Sequence, residues 1–231
     1  LTMDAGDPLD TTVYNYRAMI GSLIYLSTCT RPDISQAVGV LSKFAAAPTT
    51  EHWRAGKRVL RYLAETPTFG ITYNEQKIGL IGYSDADYAG DLDTRRSTTG
   101  YVFILNGGAV CWSSKRQAIV ATSTAEAEYV AAAAAVKEAL WLRMLAADMR
   151  LDVSTVCIMA DNQAAIRVLK DPIASQRTKH IDVAYHFARE RVRRKEVCFK
   201  YIPTQEMVAD ALTKAVPESK LVFCRQGMGV F

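Results

Sequence analysis

The sequence predicts an α/β fold in which a five-stranded mixed sheet is flanked by helices and preceded by a small helical segment. Two observations support this fold class. In the first seventy residues, apolar side chains recur every three or four residues, which is the period of an amphipathic helix. From about residue 76, short apolar runs bounded by turn residues alternate with further helical stretches. Helical stretches separate the last two apolar runs from the others along the chain, so these runs must join the sheet through crossover connections.

Three helices are predicted before the sheet. Residues 10–12 offer capping side chains for the first helix, and Pro32 separates it from the second. The third helix follows Pro48 and carries four basic residues at positions i, i+3, i+4 and i+7, which place them on one face. These residues, called here the basic stripe, are Arg54, Lys57, Arg58 and Arg61. The stripe could follow a phosphate backbone, and the alternative is a solvated face without a partner.

Five strands are predicted, over residues 78–84, 99–105, 109–114, 156–160 and 197–202. The second and third form a hairpin around Asn106-Gly107-Gly108, because glycine permits the positive φ of a tight turn. A long alanine-rich helix follows Ser123-Thr124-Ala125-Glu126, which has the spacing of a capping box. Three further helices complete the pattern: one that carries Ile166 and Leu169, a charged one over residues 179–196, and a last one over residues 207–214.

Composition limits the class of protein. The chain has 231 residues, of which 49% are hydrophobic, and this is enough to close a core. No apolar run approaches the roughly 18 residues that a membrane span needs, and no basic flank precedes an apolar stretch at the N-terminus. We therefore expect a soluble, intracellular protein without a membrane partner. The net charge of +4 is mild, so where the charges lie matters more than their sum.

The five cysteines are scattered, odd in number and never arranged as CxxC. They are Cys29, Cys111, Cys157, Cys198 and Cys224. This pattern argues against both a disulfide framework and a zinc site, and it predicts reduced thiols.

Acidic residues follow two of the predicted strands. Asp85 and Asp161 lie at the carboxyl ends of separate strands, which is where open α/β sheets place their ligands. Glu128 and Asp210 lie on helices that could pack beside the same edge. Four carboxylates brought together repel one another and need a counter-charge. Two Mg²⁺ ions about 4 Å apart would supply it, and would activate water and stabilise the leaving oxygen of a phosphodiester.

Several segments, in this order, carry a family resemblance: YSDADYAGD, STTGYVFILNGGAVCWSSKRQ, STAEAEY, ADNQAAI, RTKHIDVAYHFARE and VADALTK. Together they resemble the ribonuclease H (RNase H) domain of the Pol polyprotein of copia-type (Pseudoviridae) LTR retrotransposons. Upstream, YRAMIGSLIYLSTCTRPDI and HWRAGKRVLRYL are similar to the thumb and connection segment of the same reverse transcriptase. The resemblance implies a helical thumb/connection-like segment over residues 1–75, an RNase H-like domain over 76–216 and a C-terminal tail over 217–231.

The resemblance also implies an activity. It is the hydrolysis of the RNA strand of an RNA–DNA hybrid during reverse transcription, with two Mg²⁺ ions, for which Mn²⁺ would substitute. Asp85, Glu128, Asp161 and Asp210 match the family's metal ligands. The implied partners are the hybrid and the rest of a reverse transcriptase, and the implied location is a cytoplasmic virus-like particle or the nucleus. The chain departs from many RNases H because residues 204–206 contain no histidine.

Each residue assignment has an alternative. Asp85 and Asp87 share a face of a continuing strand, so spacing does not separate them, whereas the family pattern favours Asp85. Glu126 and Glu128 are about 200° apart on a helix, and Glu126 already has the capping role, which favours Glu128. Asp161 could be only a helix cap, and Asp210 only a surface acid.

His180 is the fifth candidate contact to nucleic acid. On its own it would be a structural or exposed histidine, and its place in TKHID suggests contact with phosphate or a role in product release.

Two other function classes are alternatives, and polymerase activity is not expected. A decayed or domesticated nucleic-acid-binding scaffold is the main alternative, although all four motif acids are present. A transposase or integrase of related fold typically ends its acid set in glutamate, whereas this chain offers Asp210. DNA synthesis is not expected, because the residues contain no Tyr-x-Asp-Asp motif.

Overall fold

The computed structural model describes residues 1–74, 79–151, 153–170 and 179–231, and in the last range the side chains of residues 179–185 are outside the description. The helices are α1 (Tyr16–Cys29), α2 (Ser35–Ser42), α3 (Thr50–Glu65), α4 (Thr124–Asp148), α5 (Gln163–Lys170), α6 (Lys179–Arg193), α7 (Asp210–Thr213) and α8 (Glu218–Gly227). Short 3₁₀ turns cover Pro32–Ile34 and Thr204–Glu206. The strands are β1 (Ile81–Ala86), β2 (Thr98–Leu105), β3 (Gly108–Arg116), β4 (Val156–Ala160) and β5 (Val197–Tyr201).

The five strands form one mixed sheet in the order β3-β2-β1-β4-β5. β1, β2 and β3 are antiparallel neighbours, whereas β4 runs parallel to β1 and β5 parallel to β4. The predicted fold class is therefore confirmed, including the crossovers that bring in the last two strands. Since β1 and β4 are parallel neighbours, with Tyr83 opposite Met159, their carboxyl ends meet at one edge of the sheet.

Alternate residues of β2 face opposite sides of the sheet, as the strand period of two requires. Phe103 lies in a buried cluster that covers one face and includes residues of α4, α5 and α6. Val102 and Ile104 lie in a second cluster on the other face, with residues of α7 and α8. Helices thus cover both faces.

β1 is placed differently from its prediction. It begins at Ile81, and Ile78, where we expected it to start, is outside the described residues. At its other end the pairing with β2 continues to Ala86 opposite Thr99, so Asp85 lies inside the strand rather than after it. The β2–β3 turn is as predicted, with positive φ at Asn106 and Gly107.

α4 begins where the capping-box spacing predicts, although only the Ser123 half of the box forms. The Ser123 hydroxyl accepts a hydrogen bond from the Glu126 backbone N–H, and the Glu126 carboxylate accepts one from the backbone N–H of Thr122 at 2.7 Å. Alanines of α4 lie in the same buried cluster as Phe103 and Ile158. Small side chains let this helix lie close to the sheet, because little volume separates the two. None of the helices in the described parts of the chain has the length and apolar character of a bilayer span.

The first helix is capped elsewhere than expected. α1 begins at Tyr16, and the Asn15 side chain accepts from the backbone N–H of Ala18 at 3.0 Å. Asp10, which we expected to cap the helix, accepts from the backbone N–H of Thr12 and closes a local turn instead. Short polar side chains satisfy either kind of site, so composition alone did not choose between them.

A buried ion pair lies between α1 and α2 and contacts the residue that follows α3. Arg31 and Asp33 contact each other at 2.8 Å, and both side chains are almost fully buried. The Arg31 guanidinium also donates to the carbonyl and hydroxyl oxygens of Thr66, which follows α3, and the Tyr62 hydroxyl donates to Asp33. This network fixes the orientation of α3, and with it the basic stripe, relative to α1.

Asp91 connects the helical segment to the sheet. Its carboxylate contacts Lys43, which follows α2, and Arg116 at the end of β3, each at 2.9 Å. Burial alone would raise the pKa of Asp91, but the hydrogen bonds from Lys43 and Arg116 outweigh it and hold that pKa well below its ordinary range. Nearby, the Trp112 indole donates to the carbonyl of Ser27 in α1 at 2.7 Å. The helical segment therefore packs on the sheet through specific polar contacts.

Residues 217–231, which we predicted to be a C-terminal tail, contain α8 and contribute to the core. Cys224, Met228 and Val230 are fully buried in the second cluster. Beyond α8, Val230 pairs with Ile71 in an isolated bridge, and the backbone of Phe231 exchanges hydrogen bonds with Gly70. The domain boundaries at residues 75 and 216 stay predictions.

The prediction of five reduced thiols is wrong for two cysteines. Cys157 and Cys198 form a disulfide between β4 and β5, and their Cα atoms are 4.7 Å apart. The two residues are directly opposite in the parallel register, although 41 positions separate them along the chain. Cys29, Cys111 and Cys224 are free thiols.

We predict that Asp91→Asn lowers the free energy of unfolding by about 2 kcal/mol at pH 7, because Lys43 and Arg116 lose their shared carboxylate. The pKa of Asp91 is lowered by folding, so its stabilisation is complete above the ordinary pKa of about 4 and is lost as pH falls below it. Urea denaturation of both proteins at pH 7 and pH 3 measures the difference.

The exposed Asp4→Asn variant is the matched control and should unfold like the parent protein. A gap between parent and Asp91→Asn that stays the same at pH 3 would contradict the role given to this carboxylate.

Candidate metal centre

Three carboxylates meet at the edge of the sheet where β1 and β4 end. Asp85, Glu128 and Asp161 each offer an oxygen, and these oxygens all lie within 4.8 Å of one another. Asp85 is buried, whereas Glu128 and Asp161 are partly exposed. Oxygen ligands at such spacing are those that hard divalent cations prefer, so the cluster fits a divalent metal.

The sheet register explains two of the three positions. Tyr83 lies opposite Met159, and two residues further along the parallel strands come Asp85 and Asp161. Because side chains alternate along a strand, both carboxylates are placed at the same level of the edge.

Gly100 allows a helix to approach this edge. It lies opposite Asp85 in the β1–β2 ladder. A Cβ atom at Gly100 would lie 2.5 Å from Cγ2 of Thr213 and 3.0 Å from Cβ of Leu212, so any side chain there would push α7 away. With glycine in place, the Thr213 hydroxyl reaches Asp85 and donates to its Oδ2.

Burial and crowding raise the pKa values of two members of the cluster. Burial raises the pKa of Asp85 to about 7, and the Lys214 ammonium, 3.7 Å from its Oδ2, limits the rise. Burial, followed by the charges of Asp85 and Asp161, raises the pKa of Glu128 to about 9. Without a cation the cluster thus favours protonated carboxyls.

The neighbouring acids have other partners. The Asp87 carboxylate accepts a hydrogen bond from the backbone N–H of Thr98 and lies against Gly90, so it shapes the β1–β2 connection. The Glu126 carboxylate is bound to Thr122 at the start of α4. In each pair of adjacent candidates, the structure brings the expected acid into the cluster.

Asp161 is not the cap of α5. That role belongs to Asn162, whose side chain accepts from the backbone N–H of Ala165 at 2.9 Å. Asp161 instead accepts a hydrogen bond from the Thr204 hydroxyl at 2.7 Å. A neighbouring loop therefore orients this carboxylate toward the cluster.

Asp210 lies beside the three-carboxylate cluster and is almost fully buried at the start of α7. Its Oδ1 is 2.5 Å from the Lys214 ammonium, and its Oδ2 is 3.1 Å from the Lys220 ammonium. Burial lowers the pKa of Lys214, but the carboxylates of Asp85 and Asp210 outweigh this effect and raise it above its ordinary value. The predicted fourth acid is thus a paired ion, linked to Asp85 through Lys214.

Sequence reasoning missed the residues that support the acids. They are Gly100, Thr204, Thr213, Lys214 and Lys220. Lys214 lies four residues after Asp210, a helical spacing that places it beside the acid and could have identified it. The other contacts depend on how separate elements pack.

All four residues of the basic stripe are exposed on α3. Arg54 also forms an ion pair with Glu51 on the same helix. His180 lies in the first turn of α6, but its side chain is outside the described part of the chain.

The sequence has curated relatives. It is 45% identical over 215 residues to the "Retrovirus-related Pol polyprotein from transposon TNT 1-94" of Nicotiana tabacum, covering 93% of this chain and 16% of the relative. It is 40% identical over 225 residues to the corresponding polyprotein of transposon RE2 of Arabidopsis thaliana, covering 96% of this chain and 15% of the relative. It is 53% identical over 128 residues to "Secreted RxLR effector protein 161" of Plasmopara viticola, covering 55% of this chain and 90% of the relative.

The chain spans about a sixth of the length of the Pol polyproteins that it matches. No family model matches the sequence. Among solved structures, it is similar to LC11-RNase H1 isolated from compost, with a TM-score of 0.43 and 20% identity, covering 58% of this chain and 92% of that one. It is also similar to RNase H1 from the archaeon Halobacterium salinarum NRC-1, with a TM-score of 0.40 and 22% identity, covering 59% and 95%.

We predict that metal-free protein becomes less stable as pH rises and that Glu128→Gln removes part of this loss. The folded-state pKa of Glu128, about 9, lies above its ordinary value, so its contribution is complete below about pH 4 and is lost as pH rises. In EDTA at pH 8, Glu128→Gln should therefore be more stable than the parent by about 1 to 2 kcal/mol, with no gain at pH 4. Denaturant titration at both pH values measures this.

Glu126→Gln is the control, and it should show no such gain because its carboxylate lies outside the cluster and bonds Thr122. Equal stabilities of the parent and Glu128→Gln at pH 8 would show that Glu128 is not in a crowded, buried cluster.

Proposed function

The chain belongs to the copia-type retrotransposon Pol family, and we propose that it is a ribonuclease H that hydrolyses the RNA strand of RNA–DNA hybrids. The observation that carries the proposal is the group of three carboxylates whose oxygens lie within 4.8 Å of one another at the carboxyl ends of β1 and β4. In an open α/β sheet this edge is where ligands bind. Family membership supports the choice of nucleic acid as the substrate.

Asp85, Glu128 and Asp161 would hold a divalent cation, Mg²⁺ or Mn²⁺, and in a two-ion arrangement Asp210 would be the fourth ligand. The raised pKa values of Asp85 and Glu128 fit this role, because burial and the neighbouring acids outweigh the nearby Lys214 ammonium and leave a cation to be favoured there. When bound, the metal would activate a water molecule and stabilise the leaving oxygen of the phosphodiester.

The protein holds these ligands in place before the substrate arrives. Asp85 belongs to a central strand and is fixed by the Thr213 hydroxyl, while Asp161 is oriented by Thr204. Ligands held in this way need little rearrangement during the reaction, and preorganisation of this kind is a large part of catalysis by electrostatics.

Lys214 has a separate part in the proposal. Its ammonium lies between Asp85 and Asp210, and its side chain is 42% exposed, so it can move into solvent. Between Asp85 and Asp210, the ammonium neutralises part of the charge of both carboxylates. Its departure would free Asp210 to serve as a ligand.

The basic stripe on α3 would hold the hybrid by its phosphates. A hybrid is wider than the carboxylate cluster, and the carboxylates repel phosphate, so a second, positive surface would keep the substrate in place. His180 is proposed as a further phosphate contact. The rest of a reverse transcriptase is the proposed protein partner.

The direct test is cleavage of a hybrid labelled on its RNA strand. The parent protein should cut the RNA in Mg²⁺ or Mn²⁺ and stop when EDTA is added. Asp85→Asn should reduce the rate by at least about 100-fold, because an amide keeps the shape of the side chain but binds metal poorly. Asp87→Asn is the matched control and should keep most of the activity.

Intact RNA after long incubation of folded protein with either metal would favour a binding scaffold over a nuclease. An inactive Asp87→Asn together with an active Asp85→Asn would reverse the assignment of these two acids.

The basic stripe makes a prediction about salt. Replacing Arg54, Lys57, Arg58 and Arg61 by Gln should reduce the slope of log K against log salt by up to about 3 to 4 units, because each phosphate contact releases condensed counterions. Binding of hybrid without metal, at several salt concentrations, gives the slope. Affinity should fall while the rate of cleavage at saturating hybrid persists.

A slope that is the same in the parent and in the fourfold variant would mean that the stripe is a solvated face. Circular dichroism of the variant checks that α3 still folds.

A further inference from the structure

α8 places the ammonium group of Lys220 next to Asp210, at the side of the metal centre. This ammonium donates to the carbonyl oxygen of Thr204 at 2.8 Å and to that of Gln205 at 2.7 Å. It is also 3.1 Å from Oδ2 of Asp210. The first two contacts are hydrogen bonds, and the third is an ion pair.

Two of these contacts support acids of the site. Thr204 is the residue whose hydroxyl orients Asp161, so Lys220 holds the backbone from which that hydrogen bond is made. Asp210 is held directly. One side chain therefore connects the supports of two acids that come from different elements, β4 and α7.

The base of this side chain is itself fixed by the core. Cys224 lies one turn after Lys220 in α8 and is fully buried, as is Met228 one turn later. Residues four apart lie on the same side of a helix, so the side of α8 that packs on the sheet is also the side that carries Lys220. Packing of α8 therefore sets where the ammonium lies.

Lys220 differs from the other lysine at Asp210. The Lys214 side chain is 42% exposed and bridges two carboxylates, whereas that of Lys220 is 19% exposed and bonds two loop carbonyls as well as one carboxylate. The Lys220 ammonium is already engaged by two carbonyl oxygens and one carboxylate. It is suited to hold the site rather than to touch what binds there.

We infer that Lys220 is a positioning residue of the metal centre, and that α8 is a functional part of the nuclease unit although it lies beyond residue 216. The inference rests on the proposed function for its catalytic consequence. The turn over residues 204–206 has no histidine, and this lysine holds it through the carbonyl oxygens of Thr204 and Gln205.

The test compares the full chain with Lys220→Met, Lys220→Arg and the control Lys137→Met, an exposed lysine on α4. Hydrogen exchange is followed at the backbone amides of Glu206 and Met207, which bond to Pro203 and Thr204. In Lys220→Met these amides should exchange about tenfold faster or more, because the loop loses charge-assisted hydrogen bonds. Lys220→Arg should restore most of the protection, and Lys137→Met should match the parent.

Kinetics with a labelled hybrid separate positioning from substrate contact. Lys220→Met should lower kcat by about tenfold or more and leave KM for the hybrid unchanged, and Lys220→Arg should recover most of kcat. If Lys220→Met does not fold, Lys220→Gln takes its place, since it keeps a donor and loses the charge.

Unchanged exchange at Glu206 and Met207 in a folded variant without the ammonium would overturn the inference. A rise in KM at constant kcat, or a loss that Lys220→Arg does not relieve, would also overturn it. If the parent protein cuts no hybrid in any metal, the proposed nuclease function fails, and the exchange comparison still decides whether Lys220 holds the loop.

Discussion

The carboxylates that share one edge of the sheet are partly buried and repel one another, and the residues around them compensate for this. Parallel pairing of β1 with β4 brings Asp85 and Asp161 together, and α4 adds Glu128. Ionised carboxyls are unfavourable here chiefly because of burial and then because the groups lie close together, and the raised pKa values of Asp85 and Glu128 reflect this cost. The contacts nearby reduce it with a hydroxyl from Thr213 and an ammonium from Lys214.

The N-terminal and C-terminal parts of the chain pack against each other, and the C-terminal part reaches the carboxylate site. α8 contributes Lys220 to the site, and the backbone after α8 pairs with Gly70 and Ile71, which lead from the helical segment into the sheet. At another point, Asp91 joins the helical segment to β3. Elements that are distant in sequence thus pack together, and α8 among them contacts an acid at the sheet edge.

Local patterns predicted those features that depend on few residues. Short apolar runs predicted the strands, and the Asn106-Gly107 turn predicted the hairpin. Position at a strand end indicated Asp85 and Asp161, but the choice of Asp85 over Asp87 needed the family resemblance. Features that depend on how separate elements align could not be predicted from the sequence. The disulfide between Cys157 and Cys198 follows from the register of two crossover strands, and the contacts of Lys220 follow from where α8 packs. The residues near either feature in the sequence do not indicate how these elements align.

The close approach of α7 to Gly100 has a consequence for reading transposon copies in genomes. Copies accumulate substitutions, and an intact set of acids is the obvious criterion for a functional one. Yet a single methyl group at position 100 would displace α7, because its Cβ would overlap Thr213 and Leu212, and all four acids would remain in the sequence. A count of acidic residues alone would not register such a substitution, so under the proposed function the glycine at position 100 belongs beside the acids as a criterion.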